Sequence, residues 1–496
     1  VAAALLVPLA FLVLQAVQVG WADLRPLLLR QLTVQLVWNT VRLSVVVTAL
    51  AAAIGLFCAF AVERTDLPGR RLWAVLVVLP VAIPDFVIGW GWVSVAPWLR
   101  GYWGAVFVMT LAVYPLIYLP VAAALRHADP AQEEVARSLG YGRRATFVKV
   151  TLRQVRTALT GGMVVVALVL LAEFGAFEVL GYQTLTTTIY NEYLGGFNGP
   201  AACALSLVLV ALCALVLSGE ALTRTRGREV GSGPGARRLP VRHRLGRARL
   251  PVLGGFGLLS ALALGVPLGV IGYWMLTPAP STLPSASLFS ATWHTAAYSV
   301  AAGLVATAAA VPVALLSVRH PGRSSMALER STYAVLSVPG LVIALSLTYV
   351  SERYAAGLLY QSAALLIVAY ALMFFPLALV AVRASVAQAP VALEEVARSL
   401  GSSRLAVLRR VTLPLIAPGL AAAFCLVFLE AVTELTATLV LVPTGVQTLS
   451  TQFWSFQSNT AYHQAAPYAA VMVAVAVVPG YLLGRWFDRR PAAGSV

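Results

Sequence analysis

The sequence predicts an all-α, polytopic membrane protein of about twelve transmembrane helices in two parallel six-helix repeats. Three observations carry that expectation. Of 496 residues, 60% are hydrophobic and 11% charged, with mean hydropathy +0.84, where an ordinary soluble chain carries about 25% charged residues. Apolar runs long enough to cross a hydrocarbon core of about 30 Å recur along the whole length. An octapeptide, Glu133-Glu134-Val135-Ala136-Arg137-Ser138-Leu139-Gly140, returns unchanged as Glu394-Glu395-Val396-Ala397-Arg398-Ser399-Leu400-Gly401. The composition excludes a soluble enzyme, a disordered chain and a fibrous protein.

The twelve runs lie near 2–20, 37–62, 72–98, 103–125, 158–180, 200–222, 251–276, 291–318, 327–350, 359–382, 417–440 and 465–486. They are rich in Ala and Leu and do not alternate polar with apolar, so helices are expected and not barrel strands. No basic segment precedes the first run, which therefore reads as a span and not a signal peptide. Pro80, Pro84 and Pro339 would free backbone carbonyls at membrane depth, tolerable only beside protein or water. Cys58, Cys203, Cys213 and Cys425 sit inside apolar runs without metal-ligand spacing and read as buried thiols.

Placing both termini in the cytoplasm puts 30 of the 35 basic residues in inside loops. Arg25, Arg30, Arg100 and Arg353 fall outside, and Arg42 lies near the outer end of the second span. That asymmetry sets the expected orientation in the cell membrane. The positive charge, +16 overall, is accordingly assigned to cytoplasmic loops facing lipid and not to nucleic acid.

The repeat runs beyond the octapeptide. Pro115-Leu116 pairs with Pro376-Leu377, Glu173 with Glu434, Trp38-Asn39-Thr40 with Trp293-His294-Thr295, and Thr184-Leu185-Thr186-Thr187 with Thr448-Leu449-Ser450-Thr451. The expected domains are a first six-span half (1–222), a basic cytoplasmic linker (223–250) and a second six-span half (251–496). Six spans per half is an even number, so both halves enter the membrane in the same sense.

Each octapeptide reads as a short cytoplasmic helix. In the first copy Asp129 is the expected N-cap, Pro130 the first helical residue and Gln132 the partner in a capping box. Gly140 and Gly401 are expected to end the helices, and the second copy has a poorer cap at Ala389. A helix this short needs a groove to lie in.

Glu134-Val135-Ala136, then Gly140 and Val150-x-Leu152, resembles the EAA loop of ABC-importer permeases. Glu395-Val396-Ala397, Gly401 and Val411-x-Leu413-Pro414 resemble it too. The sequence departs from the family pattern at Val135 and Val396, where the family has alanine, and at Arg153, where it has proline. The resemblance implies that Glu134, Ala136, Gly140, Leu152, Glu395, Ala397, Gly401, Leu413 and Pro414 form ATPase-coupling elements. It also implies two copies of a cytoplasmic ABC ATPase and an extracytoplasmic solute-binding protein as partners. The chain lacks a Gly-x-x-x-x-Gly-Lys-Ser/Thr loop, and Lys149 is its sole lysine. No catalytic residue and no cofactor are therefore assigned to it, and ATP and Mg are expected on the partner.

The stretch Glu430-Ala431-Val432-Thr433-Glu434-Leu435-Thr436-Ala437-Thr438-Leu439, followed by Pro443-Thr444-Gly445, resembles the fused ferric-iron permease group. Thr433 and Thr436 stand where that group has lysine and proline. The resemblance implies import of ferric iron. Thiamine, a polyamine or another small solute remains an alternative cargo, and an ion-coupled secondary transporter without an ATPase an alternative class. Carboxylates at membrane depth are costly and normally face a cavity or a partner. Glu173, Glu430 and Glu434 are candidates to line the translocation pathway, with structural hydrogen bonds between helices as the competing reading. Asp85 is either a pathway residue or the cap of a helix break. No metal ligand is assigned, and the five scattered histidines (His127, His243, His294, His320 and His463) argue against an enzymatic centre.

Overall fold

The computed structural model describes residues 2–196, 198–223, 243–277, 285–320, 322, 332, 335, 338–355, 357 and 359–488. Residues 224–242 of the linker expected over 223–250, Arg323, Arg330, Arg489, Arg490 and most of the start of the 327–350 run lie outside the described residues. Among the described residues regular structure is helical, with a lone parallel bridge between Thr65 and His243. Eight helices are long and apolar enough to cross a membrane, and ten spans result if two bent pairs, within 5–28 and 70–95, count as one each. Helices close their own backbone hydrogen bonds, which a hydrocarbon solvent demands.

The chain forms two compact units, residues 22–273 and residues 1–21 with 274–496. The boundaries fall one helix later than the repeat boundaries expected from the sequence. In the first of these units the 34-residue helix Gln31–Arg64 runs along Tyr102–His127. Gly55 permits the approach: a Cβ there would lie 3.0 Å from Ile117 Cβ and from the Tyr114 carbonyl oxygen. The expected third span is broken at Pro80 and Pro84 into Arg70–Val78, a 3-10 turn Leu79–Ala82, and Asp85–Val95, with a 94° bend. A proline cannot donate to the helical ladder, so the break falls where the sequence places it. Helix Arg249–Ser260 packs in this unit through Phe256, 5.5 Å from the Trp73 ring.

In the other unit the helices Ser285–Arg319, Ala363–Gln388 and Leu413–Thr433 form the core. Helix Ala2–Val19 lies on Gly340–Ala355, where the Phe11 and Tyr349 rings are 4.8 Å apart and Ser346 Oγ donates to the Pro8 carbonyl. Each unit carries a π-helical turn at the corresponding place, Phe147–Thr151 and Leu408–Thr412. Such one-residue insertions mark functional segments more often than ordinary helix does.

Candidate functional site

The repeated octapeptides form the two helices expected of them, Pro130–Ser138 and Val391–Ser399. Asp129 caps the first by accepting the Ala131 N–H at 2.9 Å. The expected capping box is not made: the Gln132 side-chain oxygen Oε1 instead accepts from Gln154 Nε2 at 2.9 Å. In the second copy the N-cap is Pro390, not Ala389, and no side chain caps that end. Both helices close with a Schellman turn. Gly140 N–H donates to the Arg137 carbonyl and Tyr141 N–H to Ala136, matched by Gly401 to Arg398 and Ser402 to Ala397. Gly140 and Gly401 both have φ +83°, a conformation that glycine adopts without penalty.

Glu134 and Glu395 point outward, Ala136 is buried and Ala397 half-buried. Leu139 is 72% and Leu400 80% exposed, with Val135 and Val396 beside them. Each helix thus presents an apolar edge rimmed by charge, the character of a surface that a partner covers. Leu152 and Leu413 are half-buried at the exits of the π turns, and Pro414 is exposed. The same turn forms with Arg153 as with Pro414, so the proline is not required for that exit geometry.

Sequence reasoning passed over the neighbouring carboxylates. Glu133 and Glu394 are buried and each binds an arginine at the end of a long helix. Arg319 Nη2 donates to Glu394 Oε1 (3.1 Å) and to the Ala389 carbonyl (3.0 Å). Arg64 Nη2 lies 3.6 Å from Glu133 Oε1, which also accepts the Thr151 hydroxyl at 2.8 Å. Arg137 and Arg398 approach the second oxygens of the same carboxylates one helical turn on. The first copy has an addition. His243, within the linker, donates its backbone N–H to the Arg64 carbonyl, and its carbonyl accepts from Asp66 N–H. Its ring nitrogen Nε2 sits 3.2 Å from Arg137 Nη2, and its ring stacks on Phe60.

The membrane carboxylates occupy breaks in their spans. Helix Leu152–Ala172 stops at Glu173 and Leu413–Thr433 at Glu434, and a short helix follows each, Gly175–Val179 and Thr436–Leu441. Glu173 Oε1 accepts the Ala176 N–H (2.7 Å) and Glu434 Oε1 the Ala437 N–H (2.9 Å). Both side chains cap the turn that follows, satisfying donors that would otherwise be orphaned. Glu430 is exposed one turn before Glu434. Asp85 is half-buried at the first position of its helix, and Gly89 of that helix packs on Ala176. At Gly340, the repeat counterpart of Asp85, a Cβ would lie 3.8 Å from Glu434 Oε1.

The segments after the breaks are tied to the opposite ends of the long helices. Thr40 Oγ1 accepts the Leu185 N–H (3.1 Å), and Thr295 Oγ1 accepts the Leu449 N–H (2.9 Å). Thr184–Thr187 and Thr448–Thr451 form reciprocal capping boxes at the same points. Asn39 Nδ2 contacts the Gln183 carbonyl and His294 Nδ1 the Gln447 carbonyl. Arg42 donates to the Tyr182 hydroxyl (3.2 Å) and lies over the Tyr102 ring at 4.1 Å, a cation–π contact. A polar cavity of about 460 Å³ opens here, lined by Glu178, Tyr182, Thr187, Asn191 and Glu192 among others. Among the described residues no group of three or more His, Cys, Asp or Glu could hold a metal ion.

Comparison with known proteins identifies the family. The family described as binding-protein-dependent transport system inner membrane component matches twice, over residues 51–223 and 300–492. The chain is 37% identical to the Fe(3+)-transport system permease protein FbpB 2 of Haemophilus influenzae over 97% of this chain and 96% of that protein. It is 23% identical to the ferric transport system permease protein FbpB of Actinobacillus pleuropneumoniae, over 89% of this chain and 69% of that one. It is 29% identical to the sulfate transport system permease protein CysT of Escherichia coli, over 46% of this chain and 89% of that one. The two matched segments carry one octapeptide each, and the chain belongs to the binding-protein-dependent transport system inner membrane components, as a fused two-half permease of the ABC type.

Proposed function

We propose that this permease imports ferric iron. The observation that carries this reading is identity at 37% across nearly the full length of both chains to a relative named as an Fe(3+)-transport permease. The cargo is delivered by an extracytoplasmic solute-binding protein. Two copies of a cytoplasmic ATPase supply the energy and hold the ATP and Mg, docking on the helices Pro130–Ser138 and Val391–Ser399. Their near-identical exposed edges are what a repeated subunit would recognise. Hydrolysis moves the two helices, and the membrane core alternates between inward-facing and outward-facing forms.

The proposal keeps twelve spans, six in each half, with both termini in the cytoplasm. It places Glu173, Glu430, Glu434 and Asp85 on the pathway. Carboxylate oxygens are hard ligands suited to a hard trivalent cation in transit, and the capping bonds of Glu173 and Glu434 hold those oxygens in fixed positions.

The test is uptake into vesicles containing the chain, its ATPase and its solute-binding protein, with labelled ferric iron offered against thiamine and sulfate. ATP-dependent accumulation of iron alone supports the proposal. Accumulation of thiamine or sulfate in preference to iron overturns the cargo, and uptake without an ATPase overturns the energy source.

A further inference from the structure

The two arginine–glutamate pairs stand at the inner ends of two equivalent helices. Arg64 is the last residue of Gln31–Arg64, and Arg319 is the last residue of Ser285–Arg319. Arg64 and Arg319 correspond in the repeat, as do Glu133 and Glu394. Near the outer end of the same helices stand Thr40 and Thr295, each holding the first backbone N–H of a capping-box helix. The two attachment points are 24 residues apart in both halves. At 1.5 Å per residue that is about 36 Å of continuous helix, enough to cross the hydrocarbon core. Each half therefore contains one stiff element fixed at one end to a coupling helix and at the other to the segment following the Glu173 or Glu434 break.

We infer that Arg64 and Arg319 are positioning residues that clasp the coupling helices to these long helices, so that movement of a coupling helix reaches the outer segments. This rests on the coupling reading given above. Burial favours such a role. Arg64, Glu133 and Glu394 are buried and Arg319 is half-buried, and an enclosed charge tolerates loss of its partner poorly. The guanidinium fork matters as well as the charge, because Arg319 Nη2 reaches both Glu394 and the Ala389 carbonyl just before the coupling helix.

The two clasps are not in the same condition. Arg319 is hydrogen-bonded to its helix. The Arg64 guanidinium nitrogens make no hydrogen bond among the described residues, and its carboxylate is shared with Thr151. A guanidinium buried with free donors is costly, so the first-half clasp has an unmade contact to gain when its coupling helix shifts. His243 holds the chain at Arg64 meanwhile.

The experiment uses the full complex of chain, ATPase and solute-binding protein in vesicles. Four quantities are read: retention of the ATPase, its basal hydrolysis, stimulation by loaded binding protein, and uptake. Arg319→Ala and Glu394→Gln are expected to retain the ATPase and its basal hydrolysis while stimulation and uptake fall at least tenfold. Arg319→Lys, which keeps charge without the fork, is expected to recover only part of the loss. Thr295→Val, at the far end of the same helix, is expected to give the same split between hydrolysis and transport. If Arg319→Ala fails to accumulate, the near-isosteric Glu394→Gln decides alone. Uptake within twofold of wild type in Glu394→Gln, with the ATPase retained, overturns the clasp and leaves the coupling reading standing. Uptake loss that only follows ATPase loss also overturns the clasp. Absence of the ATPase from the wild-type complex overturns the coupling reading, and the clasp with it.

Discussion

Thr295 Oγ1 accepts the backbone N–H of Leu449 at 2.9 Å, and both residues are buried. The N–H belongs to the first turn of Leu449–Ser458 and has no partner within that helix. Thr295→Val removes the acceptor while keeping the shape. The expected cost is about 1–3 kcal/mol, the penalty of a buried unsatisfied donor. Thr40→Val should cost the same through Leu185. Thermal unfolding of the detergent-solubilised permease checks both, and an unchanged midpoint for either variant would count against this bond.

Gly140 and Gly401 have φ +83°, and no atom lies within 4 Å of a Cβ built at either position. The constraint there is conformational and not steric. Substitution by Val should cost about 1–2 kcal/mol from the left-handed backbone alone, realigning the end of the octapeptide helix and, on the proposed coupling role, lowering uptake. Asn tolerates that conformation better, so Gly401→Asn should transport better than Gly401→Val. Uptake and ATPase retention measured for the two side by side give the answer.

Glu173 and Glu434 each combine a charge with a cap. Gln in either place keeps an oxygen to accept the Ala176 or Ala437 N–H but carries no charge. Glu434→Gln should leave the unfolding midpoint close to wild type while reducing uptake of ferric iron. Glu434→Ala should reduce both, with a loss near 1 kcal/mol for the missing cap. Wild-type uptake in the Gln variant would remove Glu434 from the pathway and leave it a structural cap.

At Gly55 the helices Gln31–Arg64 and Tyr102–His127 approach closely, with backbone and Cβ atoms 3.0 Å from where a side chain would start. Gly55→Val forces the helices apart and should cost about 1–3 kcal/mol by overpacking. At Gly161, nothing lies within 4 Å of an added Cβ, and Gly161→Ala should be neutral or slightly stabilising. A shared response at the two sites in thermal unfolding would contradict the packing described.

The repeat, the two octapeptide helices and their glycine ends were legible in the sequence because each rests on local chemistry. An identical octapeptide, an Asp-Pro start and a terminal Gly need no tertiary knowledge. The Arg64–Glu133 and Arg319–Glu394 pairs were not legible, since nothing in their spacing links residues 69 and 75 positions apart. A signal did exist: both arginines return in the two halves at the ends of apolar helices, and both glutamates return within the repeated octapeptide. Gln132 was misread for a related reason. A capping box is inferred from neighbours, and Gln154, two dozen residues on, competes for the same side chain. The break after Pro84 followed from proline chemistry, whereas those at Glu173 and Glu434 gave no such warning, and their carboxylates turned out to cap the turns that follow.

Each repeat contributes its opening helix to the compact unit built mainly from the other repeat, Ala2–Val19 in one direction and Arg249–Ser260 in the other. A gene severed within 224–242 would thus yield two polypeptides with a reciprocal debt. Neither could complete its body during solitary biosynthesis, and reassembly should demand simultaneous translation of both fragments into one bilayer.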